Sequence, residues 1–124
     1  MNPNSQQIRL AALLGFLGVG LGAFGAHGLA EVLKSHDTLE IWKTASHYHL
    51  VHAIVLLLLA FVGGTDSAGR YAWWTMLGGV LIFSGTLYLL AVSGIRWLGA
   101  ITPIGGLLLM IGWLLTAVRR WPRA

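Results

Sequence analysis

The sequence predicts an all-α integral membrane protein, a four-helix up-and-down bundle with a short amphipathic segment between the first and second spans. Three observations predict it. Hydrophobic residues fill 56% of 124 positions while Asp, Glu, Lys and Arg fill 10%, well below the charged share of a soluble domain. A domain this small leaves much of its surface exposed, so in water that composition would put apolar patches on every side. Four apolar runs fall at approximately 8–26, 45–63, 71–92 and 97–118, each near the roughly 20 residues a helix needs to cross about 30 Å of hydrocarbon. The runs lack the alternation of barrel strands, and in lipid a lone segment pairs its backbone only as a helix. The chain, 1–124, reads as a single membrane domain.

The first run has a polar start with Arg9 and the small-residue stretch Ala23-Phe24-Gly25-Ala26, features shared with a cleavable signal peptide. It is longer than a usual signal core, and Gly15, Gly18, Gly22 and Gly25 fall on one helical face, the spacing of a permanent helix interface. The segment Gly28 to Lys43 is the most polar in the chain, with Glu31, Lys34, His36, Asp37, Glu40 and Lys43. Leu29, Val32, Leu33 and His36 share a face there, so a short interfacial helix is expected. Asp37-Thr38-Leu39-Glu40 reads as a cap with an acidic third residue, opening the second long helix before the membrane and putting Trp42 at the interface.

The third span carries Gly78, Gly79 and Gly85, and the fourth Gly99, Gly105, Gly106 and Gly112; Gly105 and Gly112 are the packing positions singled out there. Trp73, Trp74, Trp97, Trp113 and Trp121 stand mostly near span ends, as interfacial belts do.

The formal charge is +4, yet Arg9, Arg70, Arg96, Arg119, Arg120 and Arg123 are dispersed at the ends of apolar runs. That is the pattern of helix-end anchors, and it argues against nucleic acid as a partner. With four spans the termini share a side, and Arg9, Arg70, Arg119, Arg120 and Arg123 on it outnumber Lys34, Lys43 and Arg96 opposite, which points both termini to the cytoplasm. The absence of cysteine removes disulfides, thiolate metal sites and thiol nucleophiles.

All five histidines fall between positions 27 and 52. His49 and His52 are three apart and neighbours on a helix, while His47 is rotated away. Imidazoles within a span are costly unless paired. One reading takes His27, His49 and His52 as candidate ligands of a metal or haem, with Glu31 as a nearby carboxylate; a related one is a proton or quinone site that also uses Tyr88. The reading the residues favour is hydrogen bonding across helices. Ser84, Tyr88, Arg96 and Thr102 belong to the same half of the bilayer, and with His27, Glu31, His49 and His52 they form the candidate polar site. No catalytic residue is assigned, because no H-E-x-x-H, nucleophile elbow or carboxylate pair is present, and the cofactor is left unassigned. Gly20-Leu21-Gly22-Ala23-Phe24-Gly25 matches G-x-G-x-x-G, but lies inside an apolar helix instead of following a strand, so it is not a dinucleotide fingerprint.

Gly22-Ala23-Phe24-Gly25-Ala26-His27-Gly28-Leu29, Trp42 with Tyr48-His49 and His52, Phe83-Ser84-Gly85-Thr86-Leu87-Tyr88, and Gly99-Ala100-Ile101-Thr102-Pro103-Ile104-Gly105-Gly106 together resemble the domain-of-unknown-function 423 family, with its YgdD-like bacterial members and an animal relative, transmembrane protein 256. The resemblance covers nearly the whole chain in the same order. It implies a four-helix protein of the bacterial inner (plasma) membrane and carries no activity or site residues with it.

The sequence thus supports a small non-enzymatic structural or assembly component, contacting lipid and forming a homo-oligomer or joining a larger membrane complex. The alternatives are a His-based metal, haem or quinone site and, from a third class, an oligomeric transporter or channel.

Overall fold

The structure is a computed structural model and describes residues 3–63 and 66–121. Gly64, Thr65 and Arg123 lie outside them, so two residues of the turn after the second span and the last of the arginines named above are not described. Among the described residues five α-helices follow in order: α1 Pro3–His27, α2 Ala30–His36, α3 Leu39–Val62, α4 Ser67–Ser93 and α5 Thr102–Val118, with a 3-10 turn at Arg96–Ala100 leading into α5. Four segments are long and apolar enough to cross a membrane: Asn4–Gly25, Leu39–Val62, Ser67–Ser93 and Arg96–Val118. The expected spans are all present, and α3 opens at Leu39, ahead of the apolar run that starts at 45, as the stretch Asp37-Thr38-Leu39-Glu40 leads one to expect.

The long helices follow one another as an open row: α1 packs on α3, α3 on α4, and α4 on α5, with no backbone contact of α1 with α4 or α5, or of α3 with α5, among the described residues. A core of Ala11, Leu14, Ala53, Leu56, Trp73, Met76, Val80 and Leu109 runs through the row. The outer faces are apolar too: Phe16 is 75% exposed and Met110 69%, as expected where lipid is the solvent.

The short polar helix is tied down. Leu33 is buried, while Val32, assigned by the sequence to the same face, turns outward. The cap also differs from the one the sequence predicts. Asp37 closes α2 in a left-handed conformation (φ 54°), with Asp37 N–H on Lys34 O and Thr38 N–H on Leu33 O, a Schellman ending. The residue before α3 is Thr38, and its side chain does not cap α3. The hydroxyl instead donates to the carbonyl of Ala91 at 2.6 Å, in the last turn of α4, where carbonyls lack a helical partner.

At the opposite end three helix termini meet on one side chain. Arg119, 6% exposed, donates from Nη2 to Gly63 O at 2.8 Å and to Asp66 Oδ1 at 3.1 Å. The other Asp66 oxygen accepts from Gly69 N–H at 3.2 Å and caps α4. Gly69 leaves the room, since a Cβ there would stand 2.8 Å from Arg119 Cζ. The sequence reads Arg119 as a helix-end anchor; it is a buried clamp joining the ends of α3, α4 and α5.

Candidate functional site

The interhelical hydrogen bonds of the spans centre on α3, which, like α4, has a long neighbour on each side. His49 is buried between α1 and α4. Its Nε2 lies 2.7 Å from the Leu14 carbonyl and its Nδ1 2.9 Å from the Tyr88 hydroxyl. A carbonyl only accepts, so Nε2 carries the proton, and in the neutral ring Nδ1 accepts from Tyr88. Tyr88 in turn packs on Trp42, ring centroids 4.6 Å apart.

One helical turn on, His52 turns to another partner. Its Nδ1 lies 2.7 Å from the Tyr48 carbonyl, and its Nε2 accepts from the Trp113 indole N–H at 3.1 Å. Both ring nitrogens of both histidines are therefore held by groups of this chain.

The approach of α1 to α3 depends on glycine placement. Trp42 Nε1 donates to Leu21 O at 3.1 Å, just as His49 reaches Leu14 O. Each carbonyl sits one turn before a glycine, Gly25 and Gly18, and a side chain on that next turn would cover it. A Cβ on Gly18 would stand 2.7 Å from Leu50 Cδ2 and 3.3 Å from His49 Cδ2; one on Gly25 would fall on the Trp42 indole. Gly22 faces Ser46 and Gly15 faces Ala53, so the four glycines line one seam. Two side-chain-to-backbone bonds, one heptad apart on each helix, thus hold α1 on α3.

The α3–α4 seam repeats the device in one antiparallel register. Thr38 reaches Ala91 O, Ser84 Oγ donates to Ala45 O at 2.8 Å, and Trp73 Nε1 donates to Leu56 O at 2.9 Å. The α4–α5 seam relies on absent side chains instead. A Cβ on Gly79 would stand 3.0 Å from Gly105 O, one on Gly105 would meet Phe83 N, and one on Gly112 would stand 2.8 Å from Met76 Cγ. Thr102 Oγ1 pairs with Thr86 Oγ1 at 2.7 Å near the start of that seam.

The eight residues of the candidate polar site are thereby dispersed. His49 and Tyr88 meet directly, and Ser84 binds α3 further along the same face of α4. His52 belongs to α5 through Trp113, and Thr102 to α4. His27 and Glu31 are exposed at the end of α1 and the start of α2. Arg96 donates to the His36 carbonyl at 3.3 Å, tying the end of α2 to the α4–α5 connection. Among the described residues no group of three or more His, Asp or Glu side chains gathers in a form that could hold a metal ion.

Several contributors were not singled out from the sequence as site residues. Trp42, Trp73 and Thr38 each supply an interhelical bond. Trp73, grouped with the belt tryptophans, is 1% exposed, and Trp113 gives its N–H to His52. The available signal is that Trp42, Trp73 and Trp113 stand in or beside apolar runs, where an indole N–H needs an acceptor.

The family described as "Protein of unknown function (DUF423)" matches residues 21–106. The UPF0382 membrane protein of Staphylococcus epidermidis (strain ATCC 12228 / FDA PCI 1200) is 46% identical over 112 residues, covering 90% of this chain and 91% of its own. The UPF0382 membrane protein YwdK of Bacillus subtilis (strain 168) is 42% identical over 118 residues, covering 90% and 92%. No solved structure matches. With four apolar helices and relatives of that description, this is a multi-pass membrane protein in contact with the lipid bilayer, of a family without an assigned activity.

Proposed function

The chain belongs to the DUF423 family of proteins of unknown function, and we propose that it serves as a non-enzymatic structural or assembly component of the bacterial inner (plasma) membrane. One observation carries the reading: the buried polar side chains His49, His52, Ser84 and Thr38 each bond to another helix of the same chain. Interhelical bonds of this kind are worth about 1 kcal/mol each in lipid, so together they fix the relative placement of the helices. The open row leaves an apolar face at each end. On α1, Phe16 and Val19 are 75% and 65% exposed, and this face packs with further copies of the chain or with a larger membrane complex. Both termini lie in the cytoplasm, on the strength of the arginine bias.

The test is assembly in native membranes. The chain has no cysteine, so Phe16→Cys places a single thiol on the outer face of α1. Oxidative crosslinking should give a discrete disulfide-linked dimer. Monomer alone, in membranes and in mild detergent, would sink the reading, as would a stoichiometric metal or a Soret band in tag-free protein.

A further inference from the structure

We infer that the groove between α3 and α5 holds one hydrocarbon chain of a membrane lipid. The two helices have no backbone contact, so α4 forms the floor between them and leaves a groove of about 500 Å³, lined by Tyr48 and His52 from α3, Phe83 from α4, and Gly106, Met110 and Trp113 among the residues of α5. None of these side chains is charged, so the occupant is apolar where it lies in the groove.

Its width decides what that occupant is. The α5 residues on the groove extend from Pro103 to Trp113, about 15 Å at 1.5 Å rise per residue. A volume of 500 Å³ over that length leaves a mean cross-section of about 33 Å² for the centres of water-sized spheres, and so a groove about 9 Å from wall to wall. A helix with its side chains needs about 10–12 Å, so a whole helix of a second copy does not seat within it. One extended hydrocarbon chain, about 4–5 Å wide from carbon contact distances, fits.

The groove is also closed at one end and polar at the other. At its deep end the rings of His52 and Trp113 meet edge to face, centroids 6.0 Å apart, and block the channel. Toward the α2 side stands Tyr48, 40% exposed and five residues inside Lys43, about 7–8 Å of helix. Helical side chains lean toward the N-terminus of their helix, which brings the phenol to the level of lipid esters, where its hydroxyl donates to an ester carbonyl. The lipid belongs to the leaflet on the α2 side, with its chain end against the His52–Trp113 pair.

Gly106 makes the groove. A Cβ there meets only the Phe83 ring, at 3.7–3.8 Å, an ordinary contact, so the position can be filled without parting α5 from α4. The full chain is reconstituted in phosphatidylglycerol vesicles whose lipid carries a diazirine at the end of one acyl chain. Irradiation should label the Leu107–Trp113 segment several-fold more than Phe16 and Val19 on open α1. Gly106→Leu should bring that labelling down to the level of α1, and Gly106→Ala should reduce it partly. Even labelling of all outer faces overturns the inference, and so does labelling unchanged by Gly106→Leu. If the leucine variant does not assemble, unchanged labelling in Gly106→Ala overturns it equally. A disulfide between two copies of a Met110→Cys variant on the cysteine-free background, formed on oxidation in the same vesicles, would show the groove to be a protein interface and also overturn it.

Discussion

The indole N–H of Trp113 donates to Nε2 of His52 at 3.1 Å and joins α5 to α3, two helices whose backbones do not touch. His52 is held on its other nitrogen by the Tyr48 carbonyl, so the ring presents a lone pair to α5 and nothing else on α3 competes for the indole. Removing either partner should therefore loosen α5 without disturbing α1. His52→Phe and Trp113→Phe are each expected to lower stability by about 1 kcal/mol, with a coupling of about 0.6–1.7 kcal/mol in the double variant. The measurement is reversible unfolding in bicelles; strictly additive single effects would mean that the bond contributes nothing.

Gly18→Leu and Gly25→Leu should detach α1 from α3. The new side chains occupy the space of Leu50 and Trp42 and cover the carbonyls that His49 and Trp42 use. Overpacking costs about 1–3 kcal/mol, and the lost bond adds about 1 kcal/mol. Gly20→Leu, where nothing lies within 4 Å of the added Cβ, should leave the melting temperature in detergent nearly unchanged. A similar loss in all three variants would show that α1 responds to bulk alone and not to this seam.

Thr38→Val keeps shape and removes the hydroxyl. The Ala91 carbonyl then loses its donor at the buried end of α4, a penalty of about 1–3 kcal/mol. Thr38→Ser should retain most of the stability. Hydrogen exchange offers the local readout: amides of α2 and the first turn of α3 should exchange faster in the valine variant, and unaltered rates would contradict the role given to Thr38.

Arg119 and Asp66 make a pair of unequal burial, with side chains 3% and 31% exposed. Arg119→Leu and Asp66→Asn should each cost about 2 kcal/mol, below the 3–5 kcal/mol of a fully buried pair broken on one side, because water still reaches the carboxylate. Asp66→Asn leaves an uncompensated guanidinium and should be the more harmful of the two. The double variant should recover part of the loss, which thermal unfolding of the four-protein cycle would reveal.

Orientation is open to thiol chemistry on a cysteine-free background. Ser35→Cys on α2 and Arg120→Cys after α5 lie at exposed positions at opposite ends of the long helices. An impermeant maleimide applied to intact cells should label the first and spare the second. The reverse pattern would place the termini outside.

Hydropathy alone located the four spans, because a residue's free energy in lipid depends on its depth and hardly on its neighbours. The apolar run itself starts only at 45, since Leu39–Thr44 mixes Glu40 and Lys43 with apolar residues; the start of α3 at Leu39 is legible instead from the cap-like stretch Asp37-Thr38-Leu39-Glu40. The cap at Asp37 itself was misassigned. Local pattern compares a side chain only with its own helix, and the Thr38 hydroxyl is claimed by Ala91, 53 residues away.

The glycine spacing Gly15, Gly18, Gly22, Gly25 was visible in the sequence as one face of a helix, and the histidine cluster as polarity that lipid would not leave unpaired. Which helix that face meets was not visible, nor that Leu14 and Leu21 supply carbonyls through it. His49 and His52 look equivalent as neighbours on α3, yet the first joins α1 and α4 and the second α5. Arg119 looks like Arg120, and only one of the two is buried.

The sequence by itself determined that this protein is made of membrane-crossing helices, because twenty apolar residues in a row have one stable solvent and one way to satisfy their backbone. Only the tertiary structure decided which helices touch and what each polar side chain binds. Between helices in lipid there is no hydrophobic drive to choose a partner, so the choice falls to glycine contacts that leave no room for a Cβ and to single hydrogen bonds, and those exist only once two helices stand in register.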